Sequence, residues 1–360
     1  MKKLTLARPD DWHVHLRDGA LLRAVVAFSA RRFGRAIVMP NLNPPITTVE
    51  LARAYRDRIL AALPRGARFE PLMTLYLTDQ TPPEEIDRAK ASGIIHGIKL
   101  YPAGATTHSG AGVTDIAKVY AVLARMEELG VPLLVHGETP SAEVDVFDRE
   151  AHYIDRSLAP AVSRFARLKV VVEHITTAHA VEFVERARDG VGATITPQHL
   201  LHNRNALFAG GIRPHYYCLP ILKRERDREA LAAAATGGSP RFFLGTDSAP
   251  HDRAAKENGC GCAGMFTAHA ALELYAEAFE AAGRLDRLED FASHFGADFY
   301  GLPRHAERIT LVKDPWTAPA DYPFGDGTLV PYRAGEPIAW RVAKTDAADP
   351  ANSVNPAVWT

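Results

Sequence analysis

The chain has 360 residues, of which 47% are hydrophobic and 24% charged, and its formal net charge is −1. This composition is typical of an ordinary globular protein and excludes a disordered or fibrous one. Because the basic residues form no long block, we expect neither nucleic acid nor an anionic membrane surface as a partner.

We expect neither a targeting segment nor a membrane span in this sequence. Residues 1–9 contain two lysines but lack the apolar core of a signal peptide. No uncharged apolar run approaches the roughly 20 residues that a membrane span needs. The cysteines, Cys218, Cys260 and Cys262, are too few for a disulfide framework. We therefore expect a cytoplasmic protein in a reducing compartment.

Strand-like and helix-like segments alternate from about residue 12 onwards. Short apolar runs predict the strands, and a segment with helical spacing follows each of them. Thr47 or Thr48, and later Thr177, are expected to cap helices, and Gly34 to end one. The last predicted helix spans Met265–Ala282. The predicted strands are residues 12–18, 36–40, 69–77, 94–101, 131–136, 168–174, 192–196 and 241–247.

Eight strands that alternate with eight helices predict an α/β protein with a (β/α)8 TIM barrel. An open doubly wound sheet is the alternative. We prefer the barrel because polar residues recur at the C-terminal end of nearly every apolar run, where a barrel would gather them around one mouth. The helical periodicity stops after Pro303. We therefore expect a barrel over residues 1–303 and a short irregular C-terminal tail, residues 304–360, packed on it.

The first chemical motif is Trp12-His-Val-His-Leu-Arg-Asp18. On a β-strand His13, His15 and Arg17 would share one face. Imidazole is the commonest protein ligand for zinc-like ions, and two histidines at this spacing can reach one ion. An isolated pair of this kind is more often two polar residues on a half-exposed strand, so the prediction needs further ligands.

Polar residues also end the other predicted strands. In a barrel they would converge with His13 and His15 at one mouth. Several imidazoles and a carboxylate buried there without a partner would carry a desolvation cost, so the set predicts a metal site. Taken singly, each histidine would more often be a hydrogen-bonded core residue, and His199 is the nearest rival ligand. The strand-end residues are Asn41, Lys99, His136, His174 and Asp247.

Lys99 is unusual in this set because an ammonium has no lone pair and would repel a cation. Its neighbours Ile98 and Leu100 lie in an apolar strand, which would direct the lysine side chain into the barrel. A buried lysine has a lowered pKa and can add CO₂ to form a carbamate. Carboxylated Lys99 (N6-carboxylysine) would be a bridging anion and is compatible with two metals.

The connector Ala103–Val113 follows the fourth predicted strand and is long for a βα loop. We expect it to act as a lid over the site. When it closes, Thr106 and Thr107 would hydrogen-bond the bound substrate and shield it from water. A disordered surface loop is the alternative.

Seven motifs, found in order between about Pro9 and Pro303, resemble those of the dihydroorotases of the shorter, single-function bacterial type, in the amidohydrolase superfamily. Agreement of seven separate motifs makes the resemblance specific. The motifs are Trp12-His-Val-His-Leu-Arg17, Met39-Pro-Asn-Leu-Asn43, Gly97-Ile-Lys-Leu-Tyr101, Leu134-Val-His-Gly-Glu138, Val172-Glu-His174, Ile212-Arg-Pro-His-Tyr-Tyr-Cys-Leu-Pro220 and Gly245-Thr-Asp-Ser-Ala-Pro-His251.

The resemblance implies the reversible cyclisation of N-carbamoyl-L-aspartate to L-dihydroorotate in pyrimidine synthesis. It also implies a homodimer that acts on a small-molecule substrate. It implies two Zn²⁺ per chain, bridged by carboxylated Lys99 and a hydroxide, with Asp247 moving the proton. The implied ligands are His13, His15 and Asp247 for one zinc, and His136 and His174 for the other. The implied substrate-binding residues are Arg17, Asn41, Leu219, His251 and Ala263.

Three alternatives remain at this point. Another binuclear cyclic amidohydrolase, such as a hydantoinase-like enzyme, is the nearest, although Arg17 with Asn41 favours a substrate that carries a carboxylate near the scissile bond. A metal-free scaffold barrel is a second, but it should have lost ligands, and all six are present. For Arg17 alone, the alternative to substrate binding is a surface ion pair with Asp18.

Overall fold

The structure, a computed structural model, describes residues 2–343. Its strands form one large parallel sheet and three small antiparallel ones. The strands are β1 (Lys3–Ala7), β2 (Asp11–Val14), β3 (Arg35–Val38), β4 (Glu70–Leu77), β5 (Ile95–Leu100), β6 (Leu133–His136), β7 (Val170–Glu173), β8 (Val191–Ile195), β9 (Phe242–Leu244), β10 (Arg308–Val312), β11 (Trp316–Thr317), β12 (Tyr322–Phe324), β13 (Gly327–Leu329), β14 (Pro337–Ile338) and β15 (Arg341–Val342).

Helices connect the strands of the large sheet and cover its outer face. Among the described residues, short 3-10 or π-helical turns extend several of them. The helices are α1 (Gly19–Arg32), α2 (Val49–Ala62), α3 (Pro83–Ser92), α4 (Tyr120–Leu129), α5 (Arg149–Tyr153), α6 (Ala159–Arg164), α7 (Ala178–Arg186), α8 (Pro197–Leu201), α9 (Glu225–Thr236), α10 (Arg253–Lys256), α11 (Ala271–Ala281) and α12 (Phe295–Tyr300).

The large sheet runs from β2 to β9 in chain order, and each strand is parallel to the next. Backbone hydrogen bonds join its two ends. Asp247 N donates to His13 O (2.9 Å), and His15 N donates to Ser248 O (3.1 Å). The predicted (β/α)8 barrel is therefore confirmed, and the open doubly wound alternative is wrong.

The barrel strands are buried on both faces, as their continuous apolar runs predict. In β7, Val170 and Val172 pack in the main core beneath the covering helices, whereas Val171 packs in a separate cluster with Trp12. The Trp12 ring stacks on Tyr300 at 4.6 Å between ring centroids. This packing anchors β2, which carries the first histidine of the predicted site.

The two ends of the described chain meet in one small sheet. β1 pairs antiparallel with β10 over its whole length, and β15 adds to the other edge of β10. The strand β1 was not predicted from the sequence. The boundary at residue 303 between the barrel and the tail stays a prediction. Residues 344–360 of the predicted tail lie outside the described residues. No helix within residues 2–343 is long and apolar enough to cross a membrane.

Several predicted boundaries differ from the observed ones. Thr48 and Thr177 cap α2 and α7 as expected. The helix α1 ends at Arg32 with the extended Phe33 as its C-cap, so Gly34 follows at the C′ position as predicted, but it lacks the positive φ of a glycine cap. A Cβ at Gly34 would lie 2.5 Å from the His305 ring, so close packing accounts for this glycine. The helix predicted from Met265 starts only at α11 because the preceding residues pair with the barrel end, through Ser248.

Candidate metal centre

Three side chains meet where the first and last barrel strands close the sheet. β2 ends at Val14, so the predicted strand over residues 12–18 is shorter than expected, yet His13 and His15 both reach the same point. Their Nε2 atoms lie 3.3 and 3.1 Å from Oδ1 of Asp247. One ligand atom from each of the three residues lies within 4.8 Å of the others, and all three residues are buried. This geometry suits one metal ion with nitrogen and oxygen ligands.

The remaining predicted histidines lie beside this group. The His174 ring lies 4.8 Å from the ring of His13 and 4.8 Å from that of His136, centroid to centroid. Lys99, on β5, is fully buried, and its Nζ has no hydrogen-bond partner within the described residues. Nδ1 of His174 is likewise unpartnered there. Buried polar atoms without partners are costly, so this donor set fits a bound cation and an added anionic group on the lysine.

The protonation states of His15, His174 and Asp247 favour metal binding. Burial lowers the pKa of His15 to about 4 and that of His174 well below its usual value, so both imidazoles are neutral. Burial opposes ionisation of Asp247, but hydrogen bonds from His13 and His15 hold its pKa well below the usual range. Burial lowers the pKa of Lys99 to about 8. Neutral imidazoles and ionised carboxylates are the forms that bind metals.

An oxygen acceptor holds the second ring nitrogen of three histidines. Nδ1 of His13 lies 2.5 Å from Glu173 Oε2, and Nε2 of His136 lies 2.9 Å from Glu138 Oε2. Such contacts orient a ligating imidazole and raise its basicity. Sequence reasoning did not assign Glu138 and Glu173, although each adjoins a strand-end histidine within two residues.

His15 has an amide rather than a carboxylate as its partner. Its Nδ1 lies 2.8 Å from Asn41 Oδ1. Asn41 Nδ2 also donates to Thr107 O (3.4 Å). Asn41, which the family resemblance assigns to substrate binding, therefore contacts both a predicted metal ligand and the predicted lid.

A pocket opens above these residues at the mouth of the barrel. Every predicted site residue lines it except Lys99, which is buried in β5. Sequence reasoning missed three of its residues, Tyr101, Ala249 and Gly264, although Tyr101 ends a recognised motif. The predicted residues that line it are His13, His15, Arg17, Asn41, Thr106, Thr107, His136, His174, Leu219, Asp247, His251 and Ala263.

One wall of the pocket is cationic. Arg17 donates from Nη2 to His251 Nε2 (3.0 Å) and from Nε to Pro250 O (2.8 Å). Burial and the Arg17 charge lower the pKa of His251 to about 2, so the imidazole is neutral. The alternative for Arg17 was wrong, because Asp18 instead pairs with Arg58 (2.8 Å). A fixed guanidinium at this wall suits a carboxylate ligand.

The connector that was predicted as a lid turns back over the pocket. Ser109 Oγ donates to Thr106 O (2.6 Å) and accepts from Thr106 N (2.9 Å). Val113 N donates to Tyr101 O (2.8 Å), which ties the end of the loop to the end of β5. These bonds place the two threonines at the pocket while the rest of the loop lies outside it.

The barrel and its ring of strand-end histidines define the class of protein. The model of the amidohydrolase family matches residues 11–338. The chain therefore belongs to the amidohydrolase family.

Relatives narrow this assignment. A dihydroorotase of Alkalilimnicola ehrlichii is 65% identical over 95% of this chain and 100% of its own length. The crystal structure of the Campylobacter jejuni dihydroorotase matches with a TM-score of 0.86 and 38% identity, over 95% of this chain and 98% of that one. The Saccharomyces cerevisiae dihydroorotase in complex with 5-fluoroorotic acid matches with a TM-score of 0.89 and 31% identity, over 95% and 99%. Within the amidohydrolases, the chain belongs with the dihydroorotases.

A hydantoinase shares the architecture at greater distance. The L-hydantoinase of Arthrobacter aurescens matches with a TM-score of 0.79 over 94% of this chain and 83% of that one, at 18% identity. This likeness shows the common fold alone.

Proposed function

We propose that the protein catalyses the reversible cyclisation of N-carbamoyl-L-aspartate to L-dihydroorotate in de novo pyrimidine biosynthesis. One observation carries the proposal: the chain is 65% identical to a dihydroorotase over the full length of that relative. The cationic wall built on Arg17 agrees with a substrate that carries a carboxylate. No comparable observation favours the hydantoinase-like alternative.

The proposal includes two Zn²⁺ ions per chain. His13, His15 and Asp247 would hold one, His136 and His174 the other, and carboxylated Lys99 would lie between them. Support comes from the buried Nζ of Lys99, which has no hydrogen-bond partner within residues 2–343. A carbamate would convert this atom into a ligand group. When bound, the ions would act as Lewis acids that polarise the ring amide carbonyl.

Asp247 is proposed to move the proton. It is ionised and lies between two imidazoles, so during ring opening it accepts a proton from the water that attacks the ring amide carbonyl. It then delivers this proton to the ring nitrogen as the C–N bond breaks. Ring closure reverses these steps, and the protonated carboxyl then donates.

The other pocket residues bind and orient the substrate. Arg17, His251 and Asn41 would bind the carboxylate, and Leu219 and Ala263 would contact the same ligand. Holding the ring in one orientation over the reacting groups lowers the entropic cost of the reaction. Thr106 and Thr107 would close over it and exclude water. We further propose a cytoplasmic homodimer that needs neither nucleic acid nor membrane.

One experiment tests the proposal against both alternatives. Dihydroorotate absorbance is followed with purified protein while the zinc content of the same sample is measured by mass spectrometry. We expect turnover of dihydroorotate, little turnover of hydantoin, and about two zinc ions per chain. Asp247→Asn, purified in parallel, controls for contaminating activity. Faster turnover of hydantoin would favour a hydantoinase-like enzyme, and a metal-free, inactive protein would favour the scaffold.

A further inference from the structure

A buried lysine outside the metal cluster joins two loops of the pocket. Lys256 ends α10 and is 4% exposed. Its Nζ donates to the carbonyl oxygens of Tyr217 (3.0 Å), Cys262 (2.9 Å) and Gly264 (2.6 Å). An ammonium has three N–H donors, so these carbonyls use all of them. Lys256 thus has no N–H donor left for a ligand. Its effect on the pocket comes from the three backbone carbonyls that it holds in place.

The two loops form one wall of the pocket. The first loop, which contains Tyr217, contributes Leu219, and the second loop, which contains Cys262, contributes Ala263 and Gly264. Gly264 N also donates to Tyr217 O (3.0 Å), so the loops are joined directly as well. Gly264 has a φ of +151°, and a Cβ there would lie 2.5 Å from Ala249 O. The second loop is therefore held tightly between Lys256 and the segment after β9 that contains Ala249.

The contact with Cys262 determines the direction of the next amide. In a trans peptide, the C=O of one residue and the N–H of the following residue point in opposite directions. Because Cys262 O faces Lys256, the N–H of Ala263 faces away from Lys256. Ala263 lines the pocket, and its N–H makes no hydrogen bond within residues 2–343. A backbone donor left unpaired at a pocket wall suits an anionic ligand atom.

We propose that Lys256 is a positioning residue for substrate recognition. By holding three carbonyls on the far side of the loops, it directs the Ala263 N–H into the pocket, where the amide donates to the substrate carboxylate beside Arg17. This inference rests on the proposed function, since it assumes a substrate with that carboxylate.

The test is Lys256→Met, which keeps the length of the side chain and removes its donors. The Ala263 amide then loses its fixed direction. Since a hydrogen bond to a charged group contributes about 1.5–3 kcal/mol, we expect the KM for dihydroorotate and the Kd for 5-fluoroorotate to rise about 10–100-fold. The kcat and the zinc content should stay within about threefold of wild type, because Lys256 touches no proposed ligand.

Lys169→Met is the matched control. Its Nζ also donates to a backbone carbonyl, Phe299 O (2.8 Å), but it precedes β7 at the opposite end of the barrel. It should change neither KM nor Kd. If Lys256→Met fails to fold, Lys256→Arg replaces it, because a planar guanidinium keeps the charge but cannot direct its donors to the same three carbonyls. That variant should raise KM with kcat preserved.

The possible outcomes separate this inference from the proposed function. An unchanged KM in the Lys256 variants of an active protein overturns the inference alone. A parallel fall of kcat, zinc content and melting temperature without a selective rise in KM also overturns it, because that result indicates a structural role only. A wild-type protein that neither turns over dihydroorotate nor binds 5-fluoroorotate refutes the proposed function itself.

Discussion

Replacing Glu173 by glutamine should weaken zinc binding at the site without unfolding the barrel. Glu173 Oε2 lies 2.5 Å from Nδ1 of His13 and accepts a hydrogen bond from Thr194 Oγ1 (3.0 Å). The carboxylate is fully buried. Glutamine keeps the shape and one acceptor oxygen, so the substitution removes the negative charge behind the imidazole and little else.

The magnitude follows from the type of hydrogen bond that is lost. A hydrogen bond to a charged group contributes about 1.5–3 kcal/mol, and a neutral one about 1 kcal/mol. The difference of about 0.5–2 kcal/mol corresponds to zinc affinity about 2–30-fold lower. This range overlaps the roughly 10–100-fold loss of metal affinity or activity that is usual when the hydrogen-bond partner of a ligating histidine is changed.

The assay is titration of metal-free protein with zinc in competition with a chromophoric chelator. Glu150→Gln is the matched control, because Glu150 is equally buried and accepts hydrogen bonds from Thr176 N (2.8 Å) and Thr177 Oγ1 but touches no histidine of the site. Wild-type zinc affinity in Glu173→Gln would refute the reasoning. An equal loss in both variants would refute it too, since the effect would then come from burial in general.

The other predictions concern the lysine, the lid, the proton carrier and acid stability. Lys99→Ala should abolish activity and remove most of the zinc, and short carboxylic acids, but not amines, should restore some turnover, since the missing group is an anion; full zinc and activity in this variant would contradict the carbamate. Replacing Thr106 and Thr107 together by valine keeps the side-chain bulk but removes both hydroxyls, so KM should rise and kcat should fall; unchanged steady-state constants would leave the lid unsupported. Asp247→Asn should lower kcat about 10²–10⁴-fold in both directions, and a loss of less than about tenfold with zinc retained would assign the proton transfer to another group. Burial lowers the pKa of His269 to about 3 from its ordinary 6.5. As the pH falls below 6.5, this imidazole therefore becomes protonated in the unfolded chain but stays neutral in the folded protein. Stability should therefore drop by about 2 kcal/mol between pH 7 and pH 5, and urea unfolding of His269→Gln should lack that part of the pH dependence.

The sequence by itself was sufficient for the fold class and for most of the site. Strand and helix periodicities depend on near neighbours in the chain, so the eight alternating units could be recognised without knowledge of their contacts. Because parallel strands of a barrel all end at one mouth, the position of a residue at a strand end was enough to bring His13, His136, His174 and Asp247 together.

Local patterns were less reliable where the chain pairs with distant residues. The helix predicted from Met265 begins only at α11, since the residues before it hydrogen-bond Ser248 at the barrel end. The strand β1 is too short and too exposed to be recognised alone, and it forms because β10, some 300 residues later, supplies its backbone partners. In both cases a tertiary contact outweighed the local preference.

Only the tertiary structure decided which groups support the predicted ligands. Glu173 contacts His13 although 160 positions separate them. Lys256 contacts Tyr217, which lies 39 positions away, and no sequence pattern predicts either pair. Ligand types are a property of the residue and are visible in the sequence. Hydrogen-bond partners depend on the path of the backbone between them, and that path exists only once the barrel has closed.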